Sequence, residues 1–282
     1  MSWNLKNIPK IAHFYWDSAT GMSFLRYLTI YSFRKYNPDW KIKIHSSVET
    51  YKNNVTWCTS EHKNGVVTGT YDNECRNIKN VEFIKHDFTK YNFTNNVPEV
   101  YKSDFLRWIL LYQQGGLWSD FDILYTAPMD NLNFNNEANQ NLDTGVCMYP
   151  SNIHSIGFLL SSMENTLFKK VHQLALRYFN PSNYQSIGSN ILNAEFMGMQ
   201  RIKDTTPNCS PINIPMDVVY KINAYNIQDF WITSSEPWND PNVIGLHWYA
   251  GHPMSQEWDS KITKDNYKDF NNTICIGIKK VL

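Results

Sequence analysis

The first 46 residues constrain the fold more than any other stretch, because they change element type twice in quick succession. Ile8 to Trp16 is short and rich in apolar residues, and Phe24, Leu25, Leu28, Tyr31 and Ser32 recur at helical spacing. Asn37-Pro38-Asp39 supplies a turn, after which Trp40, Ile42 and Ile44 alternate with Lys41, Lys43 and His45 as a half-buried strand does. Strand, helix and strand in that order predict a βαβ unit, and with it an α/β fold built on a largely parallel sheet. Sheets of this kind hold ligands at the carboxyl ends of their strands. Neither G-x-G-x-x-G nor G-x-x-x-x-G-K-[ST] follows the first strand, so a phosphate must be held by other means.

Residues 47 to 80 are polar and irregular, an excursion from the core, and Val81 to His86 returns to strand character. From Lys102 onward Ser103 is a candidate N-cap, and Leu106, Ile109, Leu110 and Gln113 form one helical stripe that Gly115-Gly116 ends. Leu117 to Leu124 reads as a strand. Beyond an Asn-rich connection (131 to 141) the pattern predicts a strand near Gly145 to Tyr149 and helices near Glu164 to Phe179 and Ser186 to Met199. A short apolar segment, Val243 to Ala250, and a tail, Thr273 to Val281, complete the chain.

Composition removes several function classes. The 282 residues carry 26 basic and 26 acidic side chains, a balance that argues against a protein held to nucleic acid through its phosphates. Aromatic residues reach 15% and charged ones only 18%, which excludes a disordered chain. No apolar run approaches the roughly 18 to 20 residues that span a bilayer, and Met1 to Ile11 lacks the apolar core of a signal peptide. A soluble, cytoplasmic protein is expected. The cysteines (Cys58, Cys75, Cys147, Cys209, Cys275) are odd in number and lack a CxxC pair, so neither a disulfide framework nor a structural zinc site is indicated.

The chemistry-bearing residues sit on either side of Gly115-Gly116. In a strand from Leu117 to Leu124, Asp120 and Asp122 share a face with Cα atoms about 6 to 7 Å apart. Two carboxylates aimed together among Leu, Trp, Phe and Ile either meet water or share a cation, and hard oxygen ligands suit Mg²⁺ or Mn²⁺. On the preceding helix Asp104 and Arg107 are three residues apart, placed to form an ion pair or to hold a hydroxyl-rich, anionic ligand.

Taken together, Ser103-Asp104, Arg107, the run Leu110-Leu111-Tyr112-Gln113-Gln114-Gly115-Gly116-Leu117-Trp118 and Asp120-Phe121-Asp122 resemble the core signature of the glycosyltransferases with a DXD sugar-binding region. That group includes the family 32 type of yeast initiating mannosyltransferase, capsular-polysaccharide enzymes and, more distantly, the large clostridial glucosylating toxins. Ile8-Pro9-Lys10-Ile11-Ala12-His13-Phe14-Tyr15-Trp16 is similar to the family's first strand. Leu246-His247-Trp248-Tyr249-Ala250-Gly251-His252 is similar to its closing element, with His252-Pro253 standing where the family has Ser and Trp.

The resemblance implies a single GT-A catalytic domain over residues 1–282, with a Rossmann-like nucleotide-sugar half (1–125) and an acceptor half (126–282). It implies a UDP- or GDP-linked sugar donor, a glycan acceptor, a Mn²⁺ or Mg²⁺ ion and retention of anomeric configuration. Carried onto this sequence, Asp120, Asp122 and His247 would hold the metal. Asp104 and Arg107 would bind the donor sugar, and His13, Tyr15 and Trp16 would lie at the nucleotide. Trp238, Trp248, Tyr249 and His252, with Trp258, are candidates for the acceptor. The cytoplasm of a bacterium, or of the host cell of a large virus, is the expected setting. A sugar-phosphate nucleotidylyltransferase would also use paired aspartates and a metal, but would carry a Gly-rich basic loop after the first strand. A glycan-binding relative without turnover differs from these in activity alone.

Overall fold

The computed structural model describes residues 5–18, 21–49, 69–94, 96–132 and 142–282. Most of the polar excursion, the Asn-rich connection from residue 133 onward and Cys58 lie outside the described residues. The opening βαβ unit is present: β1 (Ile11–Tyr15), α1 (Phe24–Tyr36) and β2 (Lys41–Ser47), with Ile11 opposite Lys41 and Tyr15 opposite His45 in parallel register. Ser23 caps α1 by accepting from the Arg26 amide, and Asn37 closes it by donating its side-chain amide to the Phe33 carbonyl. A short helix, α2 (Asp72–Arg76), precedes β3 (Val81–His86), which pairs with β2 over the span its alternation marks.

Helix α3 spans Glu99–Gln113 and starts ahead of the expected position. Ser103 is therefore a buried interior residue and not the N-cap, which is Pro98. The helix extends upstream because Glu99 and Lys102 pair inside the fold at 2.7 Å, while the Glu99 carboxylate also accepts from the hydroxyls of Ser47 and Tyr15. Two buried charges that complete each other let a polar stretch sit in the core.

After α3 the chain reverses through Gly115 (φ +63°) and Gly116 (φ +93°) into β4 (Gly116–Ser119). A Cβ at Gly116 would stand 2.3 Å from the Ile11 carbonyl oxygen, so only glycine lets β4 enter beside β1. The remaining elements are β5 (Ile123–Tyr125), β6 (Thr144–Met148), β7 (His154–Ser161), α4 (Thr166–Tyr178), α5 (Ser189–Glu195), α6 (Gly198–Thr205), β8 (Pro211–Ile214), α7 (Asp217–Tyr220), α8 (Gln228–Trp231), β9 (Gly245–His247), α9 (Pro253–Lys261) and α10 (Thr273–Val281). Strands order as β3-β2-β1-β4-β7-β6-β8, with β7 antiparallel to both neighbours and the other pairings parallel. The fold is α/β, as the opening pattern implies.

Two further expectations change. The single helix over Ser186 to Met199 is two, α5 and α6, broken at Phe196-Met197. The strand from Leu117 to Leu124 is also two: β4 belongs to the large sheet, whereas β5 pairs antiparallel with β9 in a separate two-stranded sheet. Asp120, Phe121 and Asp122 form the turn between them. The chain changes partner there, since the Asp120 amide donates to the Gly157 carbonyl on β7 while the Asp122 carbonyl accepts from the Trp248 amide. Period-two alternation therefore does not place the two carboxylates; a turn does.

A line of three histidines crosses the parallel part of the sheet. His13 Nε2 donates to the Gly115 carbonyl (3.0 Å), which leaves its Nδ1 to accept from His45 Nε2 (3.0 Å), and His45 Nδ1 in turn accepts from His86 Nε2 (2.8 Å). In this pattern His13 and His45, each donating through one nitrogen and accepting through the other, are neutral. Burial lowers His13 to about 3 and takes His45 well below its ordinary value. Four cysteines, Cys75, Cys147, Cys209 and Cys275, are buried free thiols.

Candidate active site

The β4–β5 turn and β9 build the centre of the site. Ile123 faces His247 in the β5–β9 ladder, which sets His247 beside the residue before Ile123. His247 Nε2 lies 3.1 Å from Asp122 Oδ1 and 3.8 Å from Asp120 Oδ2. One donor atom from each of the three residues falls within 4.8 Å of the other two. The second oxygen of Asp122 accepts from the Ala250 amide at 2.8 Å. Its Oδ1 is buried and has no hydrogen bond of good geometry among the described residues, an unmet acceptor aimed into the cluster.

Charges in this centre are strongly coupled. Burial opposes ionisation of Asp122, but His247, Arg26 and the Ala250 amide bring it down to about 2. Burial likewise opposes a charged His247, yet Asp122 and Asp120 lift the ring to about 9. For Asp120, burial is outweighed by Arg107 and then His247, which hold its carboxyl below the usual range.

Arg107 organises the other side. Its Nη2 bridges Asp104 (2.9 Å) and Asp120 (3.3 Å), its Nη1 donates to the Ile156 carbonyl (2.8 Å), and its guanidinium lies 4.8 Å from the centre of the Trp118 ring. Burial pushes Asp104 up to about 7 while Arg107 pulls against it. The Trp118 indole donates to Asp120 at 3.2 Å. Helix α3 thus supplies a carboxylate and a guanidinium one turn apart, and β4 delivers Asp120 to them.

These residues face a cavity of about 130 Å³, lined also by Tyr15, Trp16, Arg26, Tyr184, Gln185 and Gly251. A wider groove of about 590 Å³ meets it at Asp120, Asp122, Ile156, Tyr184, Gln185 and Gly251, and continues past Tyr149, His154, Tyr220, Tyr249 and His252. A small polar chamber and an aromatic groove therefore share one wall, the one carrying both aspartates.

The other candidate residues are distributed as follows. Trp16 lies on the chamber wall with its ring 5.3 Å from Phe121, and Tyr15 reaches it from its edge while its hydroxyl bonds Glu99 and Ser47. His13 lies away from the chamber, fully buried in the histidine line. Tyr249 and His252 line the groove; the Tyr249 ring sits 4.4 Å from His247, and His252 caps α9 by accepting from the Met254 amide. Trp248 is only 1% exposed and packs edge-on to Trp231, so neither ring face is open to a ligand. Trp238 packs against Gly277 of α10, and Trp258 stacks on Trp231; neither lines the chamber or the groove.

Two participants escape the sequence reading. Arg26 looks like a solvated helix residue, yet it enters the chamber wall. Gly157 allows Asp120 its place: a Cβ there would stand 2.5 Å from Asp120 Oδ2 and 2.8 Å from the Tyr220 hydroxyl. A lone glycine inside an apolar run is the signal that marks such a close approach.

Residues 25–139 match the family model described as the glycosyltransferase sugar-binding region containing a DXD motif. Among solved structures the chain is similar to the PaToxG glycosyltransferase, at 17% identity and a TM-score of 0.52 over 71% of each chain. It is also similar to the apo-form glycosyltransferase GlyE of Streptococcus pneumoniae (14% identity, TM-score 0.47, 98% of this chain and 61% of that one). A third likeness is to an active-site mutant of LgtC (11% identity, TM-score 0.40, 92% of this chain and 100% of that one). A search of curated proteins finds no match. The helix–Gly-Gly–DXD unit lies inside the matched segment and the α/β sheet carries it at a strand end; residues 25–139 thus resemble the sugar-binding region of the DXD-containing glycosyltransferases, and the fold is of the GT-A type.

Proposed function

We propose that the protein transfers a sugar from a nucleoside diphosphate donor to a hydroxyl of a glycan, in the presence of Mn²⁺ or Mg²⁺. The observation that carries this reading is the cluster of Asp120, Asp122 and His247: the two aspartates stand on the wall shared by a small polar chamber and an aromatic groove, and His247 lines the groove. The donor set fits such an ion: two carboxylates and the His247 ring converge, the ring giving up its proton when an ion binds, and buried Asp122 Oδ1 lacks a proper hydrogen-bond partner. Bound there, the ion would act as a Lewis acid for the departing diphosphate.

The chain's own groups do the rest. Asp104 and Arg107, locked to each other and to the Ile156 carbonyl, would hold donor hydroxyls in the chamber without rearranging. Trp16 would cover the nucleotide side, and Tyr249 and His252 would face the acceptor along the groove. We assign the nucleotide-sugar part of the site to residues 1–125, and the acceptor part, with His247, to 126–282.

Retention of configuration is the outcome we favour. Among the described residues that line the chamber and groove, each carboxylate lies against a cation: Asp104 and Asp120 against Arg107, and Asp122 against His247. That leaves the donor's own departing phosphate oxygen to take the acceptor proton. No helix among the described residues is long and apolar enough to cross a membrane.

The test is a thermal-shift panel of UDP-, GDP- and CMP-sugars with and without Mn²⁺, run beside Asp122→Asn. Stabilisation by a nucleotide sugar that needs the ion and vanishes in the variant supports the reading. A wild-type protein that no nucleotide sugar stabilises, or a variant with unchanged turnover, refutes it.

A further inference from the structure

Two basic residues line the chamber, Arg26 and Arg107, and they differ in what they are bound to. Arg107 is ion-paired with Asp104 and Asp120 and donates to the Ile156 carbonyl. Arg26 has no carboxylate within 4.0 Å among the described residues, and its one hydrogen bond there is a long one, 3.4 Å, from Nη1 to the Phe121 carbonyl. Phe121 is the middle residue of the Asp-x-Asp turn, so the guanidinium meets the backbone between the two aspartates.

The position is held by packing. The Arg26 guanidinium lies 5.1 Å from the centre of the Trp16 ring and 5.4 Å from that of Trp248. Cation–π contact with two indoles holds a guanidinium in place without using its N–H groups, which stay available for hydrogen bonds. The edge they form matches a phosphate oxygen pair.

Charge points the same way. Of the two basic residues that line the chamber, Arg107 is ion-paired with Asp104 and Asp120, whereas Arg26 feels Asp122 and Asp259 only from beyond 4.0 Å and so is the cation placed to meet the negative charge of a diphosphate.

We infer that Arg26 is the residue that binds the donor's diphosphate, its guanidinium edge taking a phosphate oxygen beside the aspartate pair. This rests on the nucleotide-sugar reading above and goes beyond it by naming the leaving-group contact. When the bond between the anomeric carbon and the β-phosphate oxygen breaks, its electron pair stays with that oxygen, and the added charge develops next to a fixed cation.

The experiment measures binding of UDP and GDP, and of uridine and guanosine, in Mn²⁺ to the full chain by titration calorimetry. Arg26→Met removes the charge and keeps a slim apolar side chain against the two indoles; Arg26→Lys keeps the charge and loses the fork. Expected is a loss of about 10- to 100-fold in diphosphate affinity for Arg26→Met, with nucleoside affinity held within about 3-fold and Arg26→Lys intermediate. Equal losses for diphosphate and nucleoside would mean that the arginine only props the site, and diphosphate binding unchanged in Arg26→Met would overturn the inference outright. Should Arg26→Met not fold, Arg26→Lys is read alone, and wild-type diphosphate affinity in it overturns the inference. A wild-type chain that binds neither diphosphate removes the donor reading itself, a result distinct from a variant that matches a binding wild type.

Discussion

Asp122 and His247 stand 3.1 Å apart because Ile123, the residue after the aspartate, is the register partner of His247 in the short β5–β9 ladder. A two-stranded pairing outside the large sheet thus decides which histidine meets the aspartates. The carboxylate gains the ring and the Ala250 amide from the same C-terminal segment.

Asp122→Asn removes the charge while keeping the shape. It is expected to abolish the Mn²⁺ dependence of nucleotide binding, a larger effect than the about 10- to 100-fold typical of an outer-shell partner. Calorimetry with Mn²⁺ and UDP or GDP measures it; affinity that still responds to the ion would exclude Asp122 as a ligand.

Gly157→Ala introduces one methyl group at a position whose backbone any residue adopts. The Cβ, 2.5 Å from Asp120 Oδ2, must push the carboxylate off Arg107 and His247. Expected is a loss of ion-dependent binding with a melting temperature within a few degrees of wild type, read from one thermal-shift series. Unchanged ion dependence would show that Asp120 can move without cost.

Arg107→Leu leaves Asp104 and Asp120 side by side without their cation. Removing one partner of a buried pair costs about 3 to 5 kcal/mol, so the urea midpoint should fall sharply at neutral pH. Because protonation relieves the stranded Asp104, the deficit should shrink on acidification. A deficit that does not vary with pH would show that the stranded carboxylates are not its source.

The histidine line predicts acid sensitivity. His13 is lowered to about 3 in the fold against an ordinary 6.5, so its contribution is complete above pH 6.5 and declines as pH falls toward 3. At pH 5 the unfolded chain gains about 2 kcal/mol from protonating this one residue. Urea unfolding at pH 7.5 and pH 5.0 reads the loss, and His13→Gln should reduce it. An identical pH slope in the variant would exclude His13 as its source.

The opening βαβ unit, β3 and the Gly-Gly turn were legible because each rests on local patterning: alternation, helical spacing, and glycine where φ is positive. Asp104, Arg107, Asp120 and Asp122 were legible as a spacing, though not as a geometry, since pattern cannot reveal that the chain leaves one sheet for another between Ser119 and Ile123. The strand β7 was missed: His-Ser-Ile-Gly-Phe-Leu-Leu-Ser has no clean alternation, as expected for a central strand covered on both faces. Arg26 was invisible because its significance comes from Trp16 and Trp248, whose ring centres tertiary packing alone brings to 5.1 and 5.4 Å from its guanidinium.

The turn between β4 and β5 has a mechanical consequence. Asp120 is tethered by its amide to Gly157 in the large sheet, and Asp122 by its backbone and side chain to Trp248 and Ala250 beside the small one. The gap between the carboxylates is a caliper whose jaws are mounted on different bodies. A bound group that narrowed or widened that gap would strain the C-terminal segment directly, and a displacement of that segment would be felt at the jaws before any side chain changed rotamer.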